Sequence, residues 1–262
     1  MDAGHPPPFP SLSTLGRART VAIIQARLSS SRLPGKVLMD LGGDTLLSRV
    51  VRRTARARTL DQSVVATTTD PRDDAIITEC ARLGVLCLRG AEADVLDRYR
   101  DAATATDAQV VVRITADCPL IDPGLIDQVV DAFFHTHGAD YASNTQFRTW
   151  PRGLDVEVFS RAALERAWVE AQEPWQRVHV TPYLYQHPEL FRMHAVVAEN
   201  KDHSDLRWTV DTPEDFALVQ TLYRHLGNRD DFGWQEALTV VEREPELAGL
   251  NRHVRQKSLE EG

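Results

Sequence analysis

Residues 21–36, VAIIQARLSSSRLPGK, give the most informative signal of the fold, because an apolar strand runs directly into a loop rich in cations and hydroxyls. Residues 21–26 are mostly β-branched or small and apolar, which predicts a buried strand. The loop that follows carries Arg27, Arg32, Lys36 and three serines. A buried strand ending in such a loop is typical of an open α/β sheet, in which ligands bind beyond the carboxyl ends of the strands.

Strand and helix patterns alternate from this loop onward. Helices are predicted over 45–58, 72–83, 94–105 and 123–137, and strands over 63–68, 85–88 and 109–115. Asp122 is placed as the N-cap of the last of these helices, with Pro123 at its first position. Strands separated by helices of this length pair in parallel, with helices on both faces of the sheet. The pattern predicts an α/β fold, a three-layer α/β/α arrangement with a mainly parallel sheet.

The second half of the chain has a mixed pattern. Strands are predicted over 154–159, 191–198 and 207–210, and helices over 161–171 and from Thr212 to Gly227. Residues 1–19 are rich in proline and lack periodicity, so we expect a disordered N-terminal extension. The main domain is predicted to span 20–228 and to be followed by a C-terminal helical extension over 229–262.

Charge and cysteine content disfavour several classes of protein. With 30 Lys and Arg against 38 Asp and Glu, the formal net charge is −8, so no nucleic-acid partner is expected. No apolar run reaches the roughly 18 residues of a membrane span, and the first residues show no secretory signal. A cytoplasmic protein with no membrane partner is therefore predicted. Cys80, Cys87 and Cys118 form no C-x-x-C pair, which disfavours a disulfide scaffold or a cysteine zinc site.

The loop after the first strand has the chemistry of a triphosphate site. Its three cations offset phosphate charge, and its serine hydroxyls and backbone N–H groups donate hydrogen bonds. It is not a Walker loop, because the leading glycine is missing and Val37 follows Lys36. The alternative is a solvated basic surface loop.

Two aspartates follow predicted strands at the edge where this loop lies. Asp117 comes after the strand 109–115, and Asp211 comes after 207–210. A carboxylate beside a polyphosphate is repelled unless a divalent cation lies between them, and Mg²⁺ is usually held by one or two carboxylates plus phosphate oxygens. If the segment 207–210 joins the sheet, both aspartates flank one metal site. The alternatives are a capping role for Asp117 and a turn position for Asp211.

Other polar residues are open to two interpretations. Asp155 and Glu157 are two apart and share one face of a strand, where they bind substrate hydroxyls or an amine, or form the wet face of an edge strand. His179 either contacts substrate or is a structural histidine. Nothing in the sequence resembles a Ser-His-Asp or Cys-His nucleophile, so covalent catalysis has no support.

Six motifs, taken in order, resemble one known family. They occupy 26–36, 113–122, 141–144, 153–158, 179–183 and 207–215. Together they are similar to the spore coat polysaccharide biosynthesis protein F family, which belongs with the cytidylyltransferases that make CMP-sialic acid and CMP-KDO. The resemblance implies a nucleotide-diphospho-sugar transferase fold related to glycosyltransferase-A, and a homodimer.

The resemblance also assigns site residues. It implies that CTP is bound by Ala26, Arg27, Ser29, Arg32, Lys36, Thr67, Thr68, Asp70, Thr115 and Ala116. Mg²⁺ would be held by Asp117 and Asp211, which with Arg27 and Lys36 form the expected catalytic group. The acceptor would face Asn144, Asp155, Glu157 and His179.

The expected function is Mg²⁺-dependent transfer of CMP from CTP to a sugar acid or related anionic acceptor, with release of pyrophosphate, in polysaccharide or glycoconjugate precursor synthesis. One rival is a metal-dependent glycosyltransferase, which would normally carry an Asp-x-Asp pair where Ala116-Asp117-Cys118 has a single acid. A second rival is a nucleotide-binding subunit without turnover.

Overall fold

A central sheet of seven strands organises the chain. The computed structural model describes residues 18–199 and 201–259, so the predicted extension over 1–19 lies almost wholly outside the described residues. The strands are β1 (Thr20–Gln25), β2 (Gln62–Thr68), β3 (Leu86–Gly90), β4 (Val110–Thr115), β5 (Tyr141–Ser143), β6 (Glu157–Ser160) and β7 (Met193–Ala195). Their spatial order is β3-β2-β1-β4-β6-β5-β7.

The sheet is mixed but mainly parallel, as the sequence predicts. β1 pairs in parallel with both β2 and β4, and β2 pairs in parallel with β3. β6 is antiparallel to β4 and to β5, whereas β5 and β7 are parallel. Among the described strands β6 alone is therefore reversed, and β1 and β4 end at the same edge.

Ten helices accompany this sheet in the described part of the chain. They are α1 (Leu46–Thr54), α2 (Asp74–Leu83), α3 (Val95–Ala105), α4 (Pro123–His135), α5 (Arg161–Glu170), α6 (Pro174–His179), α7 (Pro182–Gln186), α8 (Pro213–His225), α9 (Trp234–Arg243) and α10 (Glu246–Gly249). The predicted cap is confirmed, because the Asp122 side chain accepts from the Leu125 amide at 2.9 Å. None of these helices is long and apolar enough to cross a bilayer.

Apolar side chains on both faces of the sheet produce the three layers. In β1, Ala22 and Ile24 pack into one buried cluster, and Val21 and Ile23 pack into the other. Successive side chains of a strand point to opposite faces, so this alternation means that both faces of β1 are covered. Helices α1, α2, α4, α8 and α9 contribute buried residues to the first cluster, and α3, α5 and α7 to the second. The predicted α/β/α architecture is confirmed.

The second half departs from the prediction in the extent of its strands. Residues 207–210 form no strand; Arg207 makes only an isolated parallel bridge with Arg152. The strand predicted over 154–159 begins only at Glu157. Its first residues pair instead with the Asn144 side chain, which donates to the Leu154 carbonyl at 2.7 Å and accepts from the Val156 amide at 2.9 Å.

Two further elements differ from the sequence-based expectation. The strand predicted over 191–198 is confined to Met193–Ala195. The segment between α5 and β7 contains two short helices that apolar spacing did not reveal, α6 and α7, each with a proline in its first turn. Helices of five or six residues are too short to show a helical period.

A buried arginine fastens the segment after α8 to the rest of the fold. Arg53, in α1, is fully buried, and its guanidinium donates to the carbonyls of Ile121, Asp230 and Phe232 at 2.8, 3.1 and 3.1 Å. The guanidinium carbon also lies 3.8 Å from the centroid of the Phe232 ring. Arg53 therefore satisfies carbonyls from two segments that would otherwise be buried without donors.

Replacing this arginine is expected to destabilise the protein. Arg53→Met keeps most of the aliphatic volume but leaves several buried carbonyls unpaired, so the free energy of unfolding should fall by about 3 kcal/mol. Urea denaturation followed by circular dichroism measures this change. The exposed Arg56→Met serves as the control and should change it by less than about 0.5 kcal/mol. Equal stabilities of the two variants would contradict the structural role of Arg53.

Candidate active site

A cavity of about 560 Å³ lies at the carboxyl ends of β1 and β4. Gln25 and Ala26 line it where β1 ends, and Thr115 and Ala116 line it where β4 ends. Because these neighbouring strands are parallel, the loop after β1 and the loop after β4 meet at one edge of the sheet. This is the edge at which the sequence predicts a ligand site.

The loop after β1 carries Lys36 into this cavity. Gly35, with a φ of 73°, adopts a left-handed conformation that other residues rarely tolerate, and a short 3₁₀ turn starts at Lys36. The Lys36 side chain is 8% exposed. Its ammonium donates to Asp117 Oδ2 at 3.0 Å, to Asp211 Oδ1 at 2.9 Å and to the Val210 carbonyl at 2.7 Å. An ammonium has three N–H donors, so all of them are used.

Lys36 and the two aspartates stabilise one another's charged forms. Burial alone disfavours the charged form of Lys36, but the carboxylates of Asp117 and Asp211 outweigh it and raise the pKa of Lys36. Burial likewise disfavours the Asp117 carboxylate, yet the Lys36 ammonium outweighs it and lowers the pKa of Asp117. Lys36 and Asp117 are therefore both ionised at neutral pH.

Asp211 is held by cations on both carboxylate oxygens. Oδ2 accepts from Arg32 Nη2 at 2.9 Å and from Arg207 Nη2 at 2.7 Å, while Oδ1 accepts from Lys36. Arg207 Nε also donates at 2.9 Å to the fully buried Asp215, which accepts from the Asp211 amide at 2.9 Å. With its side chain 14% exposed, Asp211 has a fixed position at the cavity.

Asp211 reaches Asp117 although the segment before it is not a strand. The Val210 amide donates to the Asp117 carbonyl at 2.8 Å, and the Thr209 hydroxyl donates to the same carbonyl at 3.3 Å. Two hydrogen bonds thus attach this segment directly to the loop after β4. The convergence of the two aspartates rests on these loop contacts and on Lys36, rather than on the strand pairing that we expected.

The pair of aspartates fits a divalent cation that also has phosphate ligands. Mg²⁺ is commonly bound through one or two carboxylates plus substrate phosphates. No group of three or more His, Cys, Asp or Glu able to hold a metal occurs among residues 18–199 and 201–259. Asp117 is the more available carboxylate, because its side chain is 27% exposed against 14% for Asp211, and its Oδ1 atom accepts a long contact from the Cys118 thiol at 3.5 Å. A cation here would therefore depend on oxygens of a bound nucleotide.

Most of the residues predicted for the site line the cavity. Of the residues predicted to bind nucleotide, the lining includes Ala26, Arg27, Arg32, Lys36, Thr115 and Ala116. It also includes both predicted metal ligands, Asp117 and Asp211, and the predicted acceptor residues Asp155, Glu157 and His179. Arg27 is exposed and, among the described residues, makes no salt bridge with a carboxylate within 4.0 Å. Its charge is available to a bound anion.

Three residues predicted to bind nucleotide have other partners and do not line the cavity. Thr67 and Thr68 are fully buried, and their hydroxyls donate to Asp73 Oδ2 at 3.2 and 2.5 Å. Asp73 also accepts from the Leu28 amide at 2.8 Å, so the two threonines support the loop after β1 indirectly. The Ser29 hydroxyl donates to a Glu92 carboxylate oxygen at 2.7 Å.

Two more predicted residues also lie outside the cavity lining. Asp70 caps a 3₁₀ turn and pairs with Arg72, which lowers the pKa of Asp70 to about 2. Asn144 is 2% exposed, and its amide is used by the backbone of residues 154 and 156. Their geometry indicates structural rather than direct contacts.

The carboxylates on the acceptor side are neutralised by arginines. Asp155 accepts from Arg148 at 2.5 and 2.9 Å. Glu157 is 5% exposed and forms a close ion pair with Arg113, and it also accepts from the Thr181 hydroxyl at 2.7 Å. Neither carboxylate is therefore free to attract a cationic substrate.

His179 is neutral and hydrogen-bonded to the backbone of Leu259. Burial, assisted by the nearby charges of Arg113 and Arg27, lowers the pKa of His179. Nε2–H donates to the Leu259 carbonyl at 2.9 Å. This contact joins α6 to residues near the C-terminus.

The cavity contains residues that the sequence-based reasoning missed. Arg98, in α3, is 4% exposed, and its Nε and Nη1 atoms have no hydrogen-bond partner among the described residues. Arg152 also lines the cavity, where burial and Arg148 lower the pKa of Arg152. The lining includes residues 256–259, which lie beyond every motif that we identified. A helix-internal arginine and a short polar tail carry no local signal of a binding site.

The ammonium of Lys36 is expected to hold the two aspartates together. Lys36→Met removes the ion-pair partner of Asp117 and one of the three cations around Asp211, so the free energy of unfolding should fall by about 3 kcal/mol. The double variant Lys36→Met, Asp117→Asn also removes the charge of Asp117 and should recover at least half of the loss. Urea denaturation at pH 7 measures both changes.

The exposed Lys201→Met is the control for the loss of a lysine. It should change the free energy of unfolding by less than about 0.5 kcal/mol. A Lys36→Met protein as stable as this control would show that the cluster is not the support that its contacts indicate.

Comparison with known proteins shows the family of this chain. A family model described as cytidylyltransferase matches residues 21–244. The spore coat polysaccharide biosynthesis protein SpsF of Bacillus subtilis is 35% identical over 232 residues, which cover 86% of this chain and 95% of that protein.

Solved structures share the fold. A cytidylyltransferase from Leptospira borgpetersenii superposes with a TM-score of 0.85 at 30% identity, covering 92% of this chain and 100% of that chain. A CMP:2-keto-3-deoxy-manno-octonic acid synthetase solved in complex with CTP has a TM-score of 0.60 at 18% identity and covers 80% of this chain and 100% of that chain. The nucleotide-diphospho-sugar transferase fold implied by the sequence motifs is thereby confirmed.

Proposed function

The chain belongs to the cytidylyltransferase family, and on that premise we propose that it transfers CMP from CTP to an anionic small-molecule acceptor in a Mg²⁺-dependent reaction. The observation that carries the proposal is the meeting of Lys36, Asp117 and Asp211 in one cavity with the free cation Arg27. A triphosphate needs cations around it, and a divalent ion bound to it needs carboxylates beside it.

The nucleotide would lie against the loop after β1. Arg27 and Arg32 both line the cavity, and they would bind phosphate oxygens as charge-assisted donors. Thr115 and Ala116, at the end of β4, would lie beside the base and ribose. Thr67, Thr68 and their neighbours would support this loop through Asp73 rather than touch the nucleotide.

Asp117 and Asp211 would hold Mg²⁺. Bound there with phosphate oxygens, the ion would stabilise negative charge that builds up on the α-phosphate and on the departing pyrophosphate. The more exposed Asp117 would supply the principal carboxylate ligand, while Arg32, Lys36 and Arg207 keep Asp211 in position.

The acceptor would enter from the side of Arg152 and His179. An acceptor oxygen attacks the α-phosphorus, its new P–O bond forms as the bond to pyrophosphate breaks, and its proton passes to solvent. The protein's task is to position both reactants and to compensate charge. Arg152 makes no salt bridge within 4.0 Å among the described residues, whereas Asp155 and Glu157 are already paired, so this side of the cavity favours an anion such as a sugar acid.

The direct test is a pyrophosphate-release assay with four nucleoside triphosphates against a panel of sugar acids, polyol phosphates and phosphonates. CTP with one acidic acceptor should give release well above the hydrolysis background. Release of a nucleoside diphosphate from a sugar nucleotide would instead favour the glycosyltransferase. CTP binding with no pyrophosphate over the whole panel would favour a non-catalytic subunit. A homodimer remains a prediction, which light scattering can check.

Loss of a cavity cation should slow the reaction without unfolding the protein. Arg27→Ala removes an exposed guanidinium that would contact phosphate, and an electrostatic contact of about 3 kcal/mol corresponds to roughly a 10²-fold loss of kcat/KM. Steady-state pyrophosphate release measures it. Arg58→Ala removes an arginine whose side chain is 91% exposed and should keep parental kinetics. Parental kinetics in Arg27→Ala would refute the phosphate role.

Metal dependence gives a separate test of the aspartates. EDTA should abolish pyrophosphate release, and added Mg²⁺ should restore it. Asp117→Asn weakens the proposed metal site, so half-maximal rate should need about tenfold or more Mg²⁺. The exposed Asp131→Asn is the control and should keep the wild-type Mg²⁺ requirement. Full activity in EDTA would exclude the metal role of this pair.

A further inference from the structure

One buried arginine of the cavity has no partner in the part of the chain that the structure describes. Arg98, in α3, is 4% exposed and lines the cavity. Its Nε and Nη1 atoms have no hydrogen-bond partner there, and no carboxylate of residues 18–199 or 201–259 lies within 4.0 Å of its guanidinium. Buried polar side chains almost always have partners, so this exception calls for a physical reason.

The charge of Arg98 is unfavourable where it lies. Burial, together with the nearby charge of Arg27, lowers the pKa of Arg98. The side chain nevertheless stays protonated at neutral pH, because the ordinary pKa of arginine is about 12.5 or higher. A buried charge without a counter-ion destabilises a fold. Arg98 thus differs from the structural Arg53, whose guanidinium donates to three carbonyls.

The carboxylates nearest to Arg98 are used by other groups. Asp73 and Glu92 are close enough to act on the pKa of Arg98. Asp73, however, accepts from the Leu28 amide at 2.8 Å and from two threonine hydroxyls. Glu92 accepts from the Ser29 hydroxyl at 2.7 Å. Both carboxylates hold the loop after β1 and leave the guanidinium of Arg98 uncompensated.

The end of β3 makes room for this side chain. Gly90 is the last residue of β3, and a Cβ atom placed on it would lie 2.5 Å from Arg98 Cγ. Helical side chains lean toward the N-terminus of their helix, so Arg98 leans toward Val95, the first residue of α3. Val95 lines the same cavity. The glycine and the helix together place Arg98 in the cavity wall.

A second cation without a carboxylate partner lies near Arg98. Arg27, in the loop after β1, is exposed and lines the cavity, and its charge acts on Arg98. Two neighbouring positive charges repel each other, whereas an anion between them is attracted by both. Phosphate suits such a pair, because a guanidinium donates two parallel hydrogen bonds to its oxygens. Arg27 and Arg98 therefore have the chemistry of a phosphate site.

Other cations of the proposed nucleotide site are already paired. Lys36 donates to both aspartates of the site, and Arg32 forms a salt bridge with one of them. The metal and the α-phosphate would lie beside these aspartates. In the described part of the chain, neither Arg27 nor Arg98 forms a salt bridge with them within 4.0 Å. Their charges are left for the phosphates that lie farther from the metal.

We propose that Arg98, together with Arg27, binds the β- and γ-phosphates of the nucleotide. The inference rests on the proposed function and extends it by one substrate-binding residue. The guanidinium of Arg98 can turn toward a phosphate without losing hydrogen bonds of its Nε and Nη1 atoms, because the described protein provides none. A bound phosphate would in turn supply the counter-ion that Asp73 and Glu92 do not.

The stability of Arg98→Met separates a binding role from a structural one. Methionine keeps most of the aliphatic stem beside Gly90 and removes an uncompensated buried charge. The urea midpoint of Arg98→Met should therefore be equal to or above that of the parent. Arg53→Met, which leaves carbonyls without a donor, should have a lower midpoint. A fall in Arg98→Met as large as that in Arg53→Met would overturn the proposal.

Calorimetry with three ligands tests which group Arg98 binds. In Mg²⁺ and without acceptor, Arg98→Met should weaken CTP binding about tenfold, because a charge-assisted contact is lost. It should weaken the binding of inorganic pyrophosphate by a similar factor. It should bind CMP, which lacks the β- and γ-phosphates, like the parent. Equal losses for CMP and CTP would assign Arg98 to another part of the nucleotide and overturn the proposal.

The matched control is Arg100→Met, on the same helix. Arg100 lies outside the cavity lining and pairs with Glu165, so its removal should leave CTP affinity unchanged. An Arg98→Met protein that binds CTP as tightly as this control would overturn the role of Arg98.

These results separate the inference from the function on which it rests. A wild-type protein that binds CTP and releases pyrophosphate, with no effect of Arg98→Met, would leave the cytidylyltransferase function intact and remove the inference alone. A wild-type protein that binds neither CTP nor pyrophosphate would overturn both.

Discussion

The ammonium of Lys36, shared between Asp117 and Asp211, is the contact on which the site depends. In the sequence, Asp117 lies 81 positions after Lys36 and Asp211 lies 175 positions after it. Two carboxylates so close together would repel each other and favour proton uptake if no cation lay between them. Because Lys36 also binds the Val210 carbonyl, one side chain connects the loop after β1, the loop after β4 and the segment before α8.

The carboxylates that line the cavity are neutralised by cations of the protein itself. Asp211 pairs with Arg32, Lys36 and Arg207, whereas Asp155 and Glu157 each pair with one arginine. Further cations at the same cavity, such as Arg27, are left for a ligand. A site with this surplus of positive charge suits two anionic reactants, and the carboxylate of its more exposed Asp117 suits a cation that arrives with phosphate.

The sequence anticipated the convergence of the aspartates for a reason that was only partly right. Asp117 was placed correctly because it follows β4, whose end is next to that of β1 in a parallel sheet. Asp211 was expected beside Asp117 because residues 207–210 were predicted to form a strand of the sheet, which they do not. Hydrogen bonds from Val210 and Thr209 to the Asp117 carbonyl bring Asp211 to this position instead. Thr67 shows the opposite outcome, since the resemblance assigns it to the nucleotide but its hydroxyl donates to Asp73.

Apolar periodicity, caps and turn residues are local signals, so they sufficed to predict the βα alternation, the strand after which the cationic loop begins and the N-cap at Asp122. The partners of these residues follow instead from packing between distant elements. Arg98, Arg152 and residues 256–259 line the cavity because elements far apart in the chain pack together, and the neighbouring residues in the sequence carry no signal of such a contact. Local patterns fix how each segment folds, whereas burial and charge compensation among distant segments fix what the site can bind.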